Sequence, residues 1–253
     1  EIRKQEAFQG GYIAEIDPGR CTQCGECRQR CRFDAISEDF VVDRLACEGC
    51  GVCVHFCPVQ AIDFSRQVCG QWFVSDTGRG PMVHARLGIA QENSGLLVSV
   101  LRKEARAIAE QKGYEWIIVD GPPGIGCPVI SSVTGAGGVL VISEPTMSGL
   151  HDLKRVNELA AFLRVPAMAC VNKYDINPDM SDRIIAYARD HKMEVAGVIP
   201  YDRDMTAAMV ARKALVDFSD GPAARAIRSV WENVRDFMKT RGHSKSALKI
   251  ISS

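Results

Sequence analysis

Two runs of cysteine at one spacing constrain this chain more than any other feature. Cys21, Cys24, Cys27 and Cys31 follow C-x2-C-x2-C-x3-C, and Cys47, Cys50, Cys53 and Cys57 repeat the pattern, with Pro58 after the last. All four cysteines recur at an offset of 26 residues, and the flanks recur with them: Gly25 matches Gly51, and Ala35-Ile36 matches Ala61-Ile62. This is an internal duplication. In a short secreted chain such cysteine density would suggest disulfides, but the spacing here is that of metal ligands. Zinc sites typically use two C-x2-C pairs or Cys/His mixtures, whereas each run here offers four cysteines.

The duplicated runs resemble those of the two-cluster bacterial ferredoxins. The resemblance implies two [4Fe–4S] clusters, with the last cysteine of each run ligating the opposite cluster. It gives Cys21, Cys24, Cys27 and Cys57 to one cluster, and Cys47, Cys50, Cys53 and Cys31 to the other. Folding of about 50 residues then depends on the metal. Arg32 follows Cys31 where proline follows Cys57. Arg28, Arg30 and Arg32 either raise the cluster potential by stabilising the more negative reduced state or are plain solvated arginines.

The 253 residues are 46% hydrophobic and 25% charged, with zero formal net charge, so no global field argues for nucleic acid or a membrane surface. No apolar run approaches about 18 residues, and no membrane span is expected. The start, Glu1-Ile2-Arg3-Lys4-Gln5, has no apolar signal region and no Met, which suggests that it is not the natural beginning of the protein. A reducing cytoplasm is the expected compartment.

Tyr12–Ile16 and Phe40–Val42 read as strands of the cysteine-rich part. Beyond about Gln67 the pattern changes to alternating helices and strands. Helices are expected at Leu96–Gln111, Cys127–Thr134, Leu150–Leu163, Pro178–Asp190 and Gly221–Lys239. Buried parallel strands are expected at Trp116–Asp120, Gly138–Ile142, Ala167–Val171 and Val195–Ile199. The predicted fold class is α/β, a doubly wound and mostly parallel sheet, with an α+β ferredoxin-like insert. The predicted divisions are a remnant or linker at 1–12, a ferredoxin-like domain at 13–66, an α/β domain at 67–239 and a basic, solvated tail at 240–253.

Four strand ends carry candidate chemistry, because ligands in open α/β sheets bind at the carboxyl ends of strands. Asp120-Gly121-Pro122-Pro123-Gly124 ends one; its Asp can hold Mg²⁺ or its waters, and Gly124 can offer an N–H to a terminal phosphate. Ser143-Glu144-Pro145-Thr146 ends the next. Asn172-Lys173 ends another, where the Asn amide can pair with an adenine edge, and Pro200-Tyr201-Asp202 ends the fourth.

Together these segments resemble the MinD-superfamily P-loop ATPases that contain an inserted ferredoxin domain, from about Ile13 to Phe237. The resemblance implies Mg-ATP hydrolysis, a nucleotide-sandwich homodimer, and a redox or cluster-accepting protein partner. It makes Asp120 the metal-side acid, Gly124 the switch glycine, and Asn172 with the backbone of Pro200, Tyr201 and Asp202 the readers of the base. The family's K-G-G-x-G-K-T loop has no counterpart here, and the chain contains no Gly-Lys dipeptide. Either a truncation or a natural variation accounts for this, and weak or absent ATP hydrolysis is expected of these residues alone. Three roles follow: nucleotide-gated electron transfer or cluster delivery, plain ferredoxin-type electron transfer on an inactive scaffold, and cluster scaffolding.

Cys127, seven residues after Asp120, sits where the nitrogenase iron protein, of the same superfamily, carries a cluster ligand; it reads either as a ligand bridging a dimer or as a small buried hydrophobe. Cys69 and Cys170 read as packing residues. His84 reads as structural or as a contact to substrate or partner. Asn93 or Ser94 is expected to cap the helix that follows.

Overall fold

The computed structural model describes residues 1–88, 95–240 and 248–252. Two compact units divide the chain, Glu1–Leu97 and Val98–Ser253. Among the described residues no helix is long and apolar enough to cross a membrane.

The first unit is built on a three-stranded antiparallel sheet in the order β1-β2-β3. β1 spans Ile2–Ile16, β2 Ile62–Thr77 and β3 Gly80–Leu87. Strands β1 and β2 pair from Ile2↔Ser75 to Ile16↔Ile62, with register shifts around Gln9. Between them lie two four-residue helices, α1 (Glu26–Gln29) and α2 (Val52–His55), one in each cysteine run. This sheet takes in residues 1–12 and 67–87, which the sequence assigned to a linker and to the α/β domain. The division therefore falls about thirty residues later than the change in sequence pattern suggests. The expected strand at Phe40–Val42 reduces to a single bridge, Ile36↔Val42, since three residues give little room for a ladder.

Helix α3 (Gly95–Lys112) contains the boundary and lies mostly in the second unit. Asn93 and Ser94 lie outside the described residues. Strands and helices then alternate: β4 (Ile118–Gly121), α4 (Cys127–Val133), β5 (Ala136–Ser143), α5 (Met147–Phe162), β6 (Ala167–Asn172), α6 (Pro178–Asp190), β7 (Glu194–Ile199), α7 (Asp204–Val210), α8 (Leu215–Phe218) and α9 (Pro222–Thr240). A last strand, β8 (Leu248–Ser252), completes a sheet in the order β4-β8-β5-β6-β7, parallel at every pairing. The tail expected to be solvated thus supplies an interior strand: basic flanks conceal the apolar run Leu248-Lys249-Ile250-Ile251. Strand β4 is an edge strand and begins at Ile118, whose side chain is more than half exposed, rather than the buried strand from Trp116 that was expected.

The sheet buries both faces, as the alternation along its strands dictates. Val139, Val141, Ala169 and Val171 pack with α4, α5 and α6 on one side through Val133, Leu153, Val156 and Ile184. Leu140, Met168 and Cys170 pack on the other side with α7, α8 and α9 through Ala208, Leu215, Val234 and Phe237. Side chains close two helix starts: Thr146 accepts from the Gly149 N–H at 2.9 Å for α5, and Asn177 from the Met180 N–H at 3.2 Å for α6. Arg102 of α3 holds the exit of α4, donating to the carbonyls of Ser131 and Thr134.

Candidate functional site

The two cysteine runs wrap two cavities. Cys21, Cys24, Cys27 and Cys57 line one, together with Ile16, Phe40 and Ile62. Cys31, Cys47, Cys50 and Cys53 line the other, together with Ala14, Val42 and Phe64. Each cavity receives three thiols from one run and the last thiol of the other.

The local backbone explains how so short a loop turns around a cavity. Left-handed conformations occur in pairs at the repeat offset: Gln23 and Gly49, Gly25 and Gly51, Asp34 and Gln60, all with φ between +48° and +82°. Gly25 and Gly51 (φ +82° and +73°) open α1 and α2, and a side chain there would be strained. The matching glycines of the sequence repeat are the trace of this turn. Backbone N–H groups reach the sulfurs: Gln23 donates to Cys21 Sγ at 3.4 Å and Ala61 to Cys57 Sγ at 3.2 Å. Such bonds help set the potential of a sulfur-bound cluster.

Burial pushes the Cys27 and Cys53 thiols up, backbone N–H groups offset part of this, and the neighbouring thiols of the same run push them further. Metal is the partner that converts such crowded thiols to thiolates. Among the described residues no three His, Cys, Asp or Glu side chains converge closely enough for a single metal ion. Four thiols spread around a cavity suit a polynuclear centre better than one zinc, which needs every sulfur within about 2.3 Å.

The arginines are less free than their number suggests. Arg28 pairs with Glu38 at 2.7 Å and Arg30 with Glu26 at 3.0 Å, with the Arg30 guanidinium 4.0 Å from the Phe56 ring. Two of the three charges therefore have a carboxylate beside them, which weakens any field they exert on the cavities.

In the second unit the candidate residues lie at strand ends. Asp120 is exposed in β4, and Gly124 (φ +87°) follows in a turn with open space where a side chain would sit. Asn172 ends β6, and Pro200, Tyr201 and Asp202 follow β7. From β4 to β6 are three strand spacings, roughly 14 Å, about the reach of an extended nucleotide. Both Asp202 oxygens serve the fold: one accepts from the Asp204 N–H at 2.9 Å and the other from the Ala223 N–H at 3.3 Å. These bonds fix the carboxylate at the starts of α7 and α9.

Two ties between strand ends were not anticipated from the sequence. Lys173, in a left-handed conformation (φ +54°), donates to Glu144 at 2.6 Å and so ties the ends of β5 and β6. Asp175 accepts the Tyr201 N–H at 2.7 Å and ties the ends of β6 and β7. The signal was a carboxylate three residues after a strand-ending Asn.

The remaining candidates separate clearly. Cys127 is exposed at the first residue of α4. Cys69 is buried and accepts the Gly11 N–H at 3.3 Å. Cys170 lies in the sheet core, where burial pushes its thiol up to about 12. His84 bonds Ser75 Oγ at 2.9 Å and stacks on Phe73, a structural placement.

The 4Fe-4S binding domain family matches residues 14–37 and 40–63. The chain is 30% identical over 218 residues to protein MJ0578 of Methanocaldococcus jannaschii, covering 86% of this chain and 73% of that protein. Over 52 residues it is 35% identical to the pyruvate synthase subunit PorD of Methanothermobacter marburgensis, covering 21% of this chain and 64% of that subunit. The solved structure of the MinD cell division protein of Aquifex aeolicus matches with a TM-score of 0.50 at 21% identity, over 65% of this chain and 69% of that one. At that identity the likeness establishes the fold alone. The chain is thus an iron–sulfur protein of the 4Fe–4S type with a MinD-like α/β fold.

Proposed function

Since the chain belongs to the family of protein MJ0578 of Methanocaldococcus jannaschii, with a ferredoxin-type region and a MinD-like fold, we propose that it transfers electrons through two [4Fe–4S] clusters under the influence of a bound nucleotide. The observation that carries this reading is the sharing of thiols between the cavities. Cys57 stands with Cys21, Cys24 and Cys27, and Cys31 with Cys47, Cys50 and Cys53. A centre held by both halves of a duplicated fold leaves only when both halves open, which suits a resident electron carrier better than a delivery protein.

When bound, each cluster supplies a site that accepts and gives up one electron. The eight cysteines hold the clusters, and the N–H groups of Gln23 and Ala61 stabilise negative charge on the sulfurs. Ile16, Phe40, Ile62 and Phe64 keep apolar walls around them. In the second unit Asp120 is the metal-side acid, Gly124 offers its N–H to a terminal phosphate, and Asn172 with the backbone after β7 reads the base. Movement of the Asp120–Gly124 turn is the coupling step, in the manner of other nucleotide switches. The protein acts as a homodimer and passes electrons to a redox protein partner.

The test compares cluster retention with cluster transfer. Reconstituted protein is cycled between oxidised and reduced forms beside an iron chelator and an apo-ferredoxin acceptor, with and without Mg-nucleotide. Retained iron, with nucleotide altering the rate of electron transfer to an acceptor, supports the reading. Loss of iron to the acceptor at a rate matching turnover sinks it in favour of cluster delivery.

A further inference from the structure

We propose that a redox protein with a basic face docks on the first unit at a cleft beside Cys21, and that electrons cross there to the cluster of the first run; this rests on the electron-transfer reading above. The cleft has a volume of about 260 Å³ and lies between the end of β1 and residues 39–44, with Glu15, Cys21, Asp39, Val41 and Arg44 in its walls. It therefore brings solvent, or a partner, to a thiol that lines the first cavity. The duplicated halves differ at this place. Gln23 also borders the cleft, and its counterpart 26 residues on is Gly49. A Cβ on Gly49 would collide with the Tyr12 carbonyl, so β1 closes over the second half where the first stays open. The Tyr12 ring stacks on Phe64, a wall of the second cavity, at 4.8 Å between centroids. Cys24 and Cys50 are exposed alike, so the cleft is what distinguishes the two halves.

Size and charge select the occupant. Small-molecule sites typically enclose about 300–1,000 Å³. A smaller open cleft suits a side chain or two of a protein surface better than a free cofactor. Its charge is negative: Glu15 and Asp39 face one guanidinium, Arg44, which stands 3.7 Å from Glu15. Asp39 is exposed and makes no ion pair among the described residues. Arg20, next to Cys21, is held between Asp17 and Asp63 at 2.6 and 2.7 Å, two carboxylates to one cation. A thiolate-bound cluster adds negative charge of its own. A lysine- or arginine-bearing face is steered to such a surface, and a positive side chain entering the cleft replaces water beside the carboxylates. Val41, 64% exposed in the cleft wall, gives that face an apolar contact.

Cytochrome c, a basic protein with lysines around its haem edge, is the probe. The reconstituted, reduced chain is mixed with ferric cytochrome c; one electron leaves a reduced cluster and one ferric haem becomes ferrous, followed by haem absorbance in a stopped-flow mixer. Asp39→Lys is expected to slow the second-order reaction about tenfold at low salt and little at high salt. Asp39→Asn, which removes the charge at nearly the same size, is expected to slow it about threefold. Glu48→Lys makes the same charge change as Asp39→Lys at an exposed residue next to Cys47, and is expected to slow it less than about twofold. The variants are compared at matched iron content, so that a lost cluster cannot pass for lost docking. Carbodiimide coupling, which joins a carboxylate to a lysine amine with loss of water, is mapped by mass spectrometry and should link the cytochrome to Glu15 or Asp39 in preference to Glu48. Equal slowing by Asp39→Lys and Glu48→Lys, or links spread evenly over the acidic residues, overturns the cleft and leaves electron transfer standing. No reduction of cytochrome c by the iron-loaded chain overturns the electron-transfer reading and this inference with it.

Discussion

Double substitution of the cysteines will reveal which thiols share a cluster. Cys57 lies in the sequence with Cys47, Cys50 and Cys53, but in space it lines the cavity of Cys21, Cys24 and Cys27. Cys57→Ala should therefore empty the cavity of the first run and leave the second loaded, a loss of about half the iron of a two-cluster protein. The double variant Cys21→Ala/Cys57→Ala removes two ligands from one cavity and should still retain about half. Cys47→Ala/Cys57→Ala removes one ligand from each cavity and should retain almost none. Colorimetric iron and acid-labile sulfide, measured beside the visible absorbance, give the three values directly.

The logic is independent of how much each thiol contributes, because it uses only whether two losses add. If each run held its own cluster, the two double variants would exchange results, and the shared-thiol arrangement would be refuted. A single substitution that emptied both cavities would refute the premise that they load separately. The buried apolar core around the cavities is small: Ala14, Cys27, Ile36 and Ile62 are its buried members. Any variant that loses a cluster should consequently also lose hydrogen-exchange protection at β1 residues 12–16 and at the start of β2, while the sheet of the second unit keeps its own.

Two further outcomes test the second unit. Leu153 is 1% exposed within the core between α5 and the sheet, so Leu153→Ala should cost about 2–5 kcal/mol in denaturant unfolding followed by far-ultraviolet circular dichroism; a cost under about 1 kcal/mol would mean that this core is not packed as described. Burial holds the Cys170 thiol up to about 12, and thiolate is the reactive form, so near pH 8 alkylation mapped by mass spectrometry should label exposed Cys127 and spare Cys170 until denaturant is added; early labelling of Cys170 would contradict its burial.

What the residues reveal about the fold follows from how local each signal is. The strand–helix alternation of the second unit was legible because β5 and β6 are apolar runs with helical patterns between them. Pro178–Asp190 agrees with α6 residue for residue. The sheet of the first unit was not legible. β1 and β2 pair residues 46 to 73 positions apart, and register shifts around Gln9 break the period of two. On β2, Trp72, Phe73 and Val74 are buried in succession, so no alternation marks the strand. β8 was concealed for the opposite reason, a short apolar run set among charges that read as a solvated end.

The two halves of the candidate site differ in the same way, and the difference is chemical. A cluster site needs identical ligands at fixed intervals, so the repeat in sequence is also the repeat in space, down to the left-handed turns at Gln23 and Gly49. A base-reading site needs unlike groups from separate loops, and each looks ordinary alone. Asp202 was expected to meet a base through its backbone, and its two side-chain oxygens each accept one N–H, at the starts of α7 and α9. Asp175, which the sequence reading did not single out, accepts the Tyr201 N–H and so holds the neighbouring loop. Both carboxylates hold the backbone beside the strand ends, so changing either one would move the chain that a base would meet.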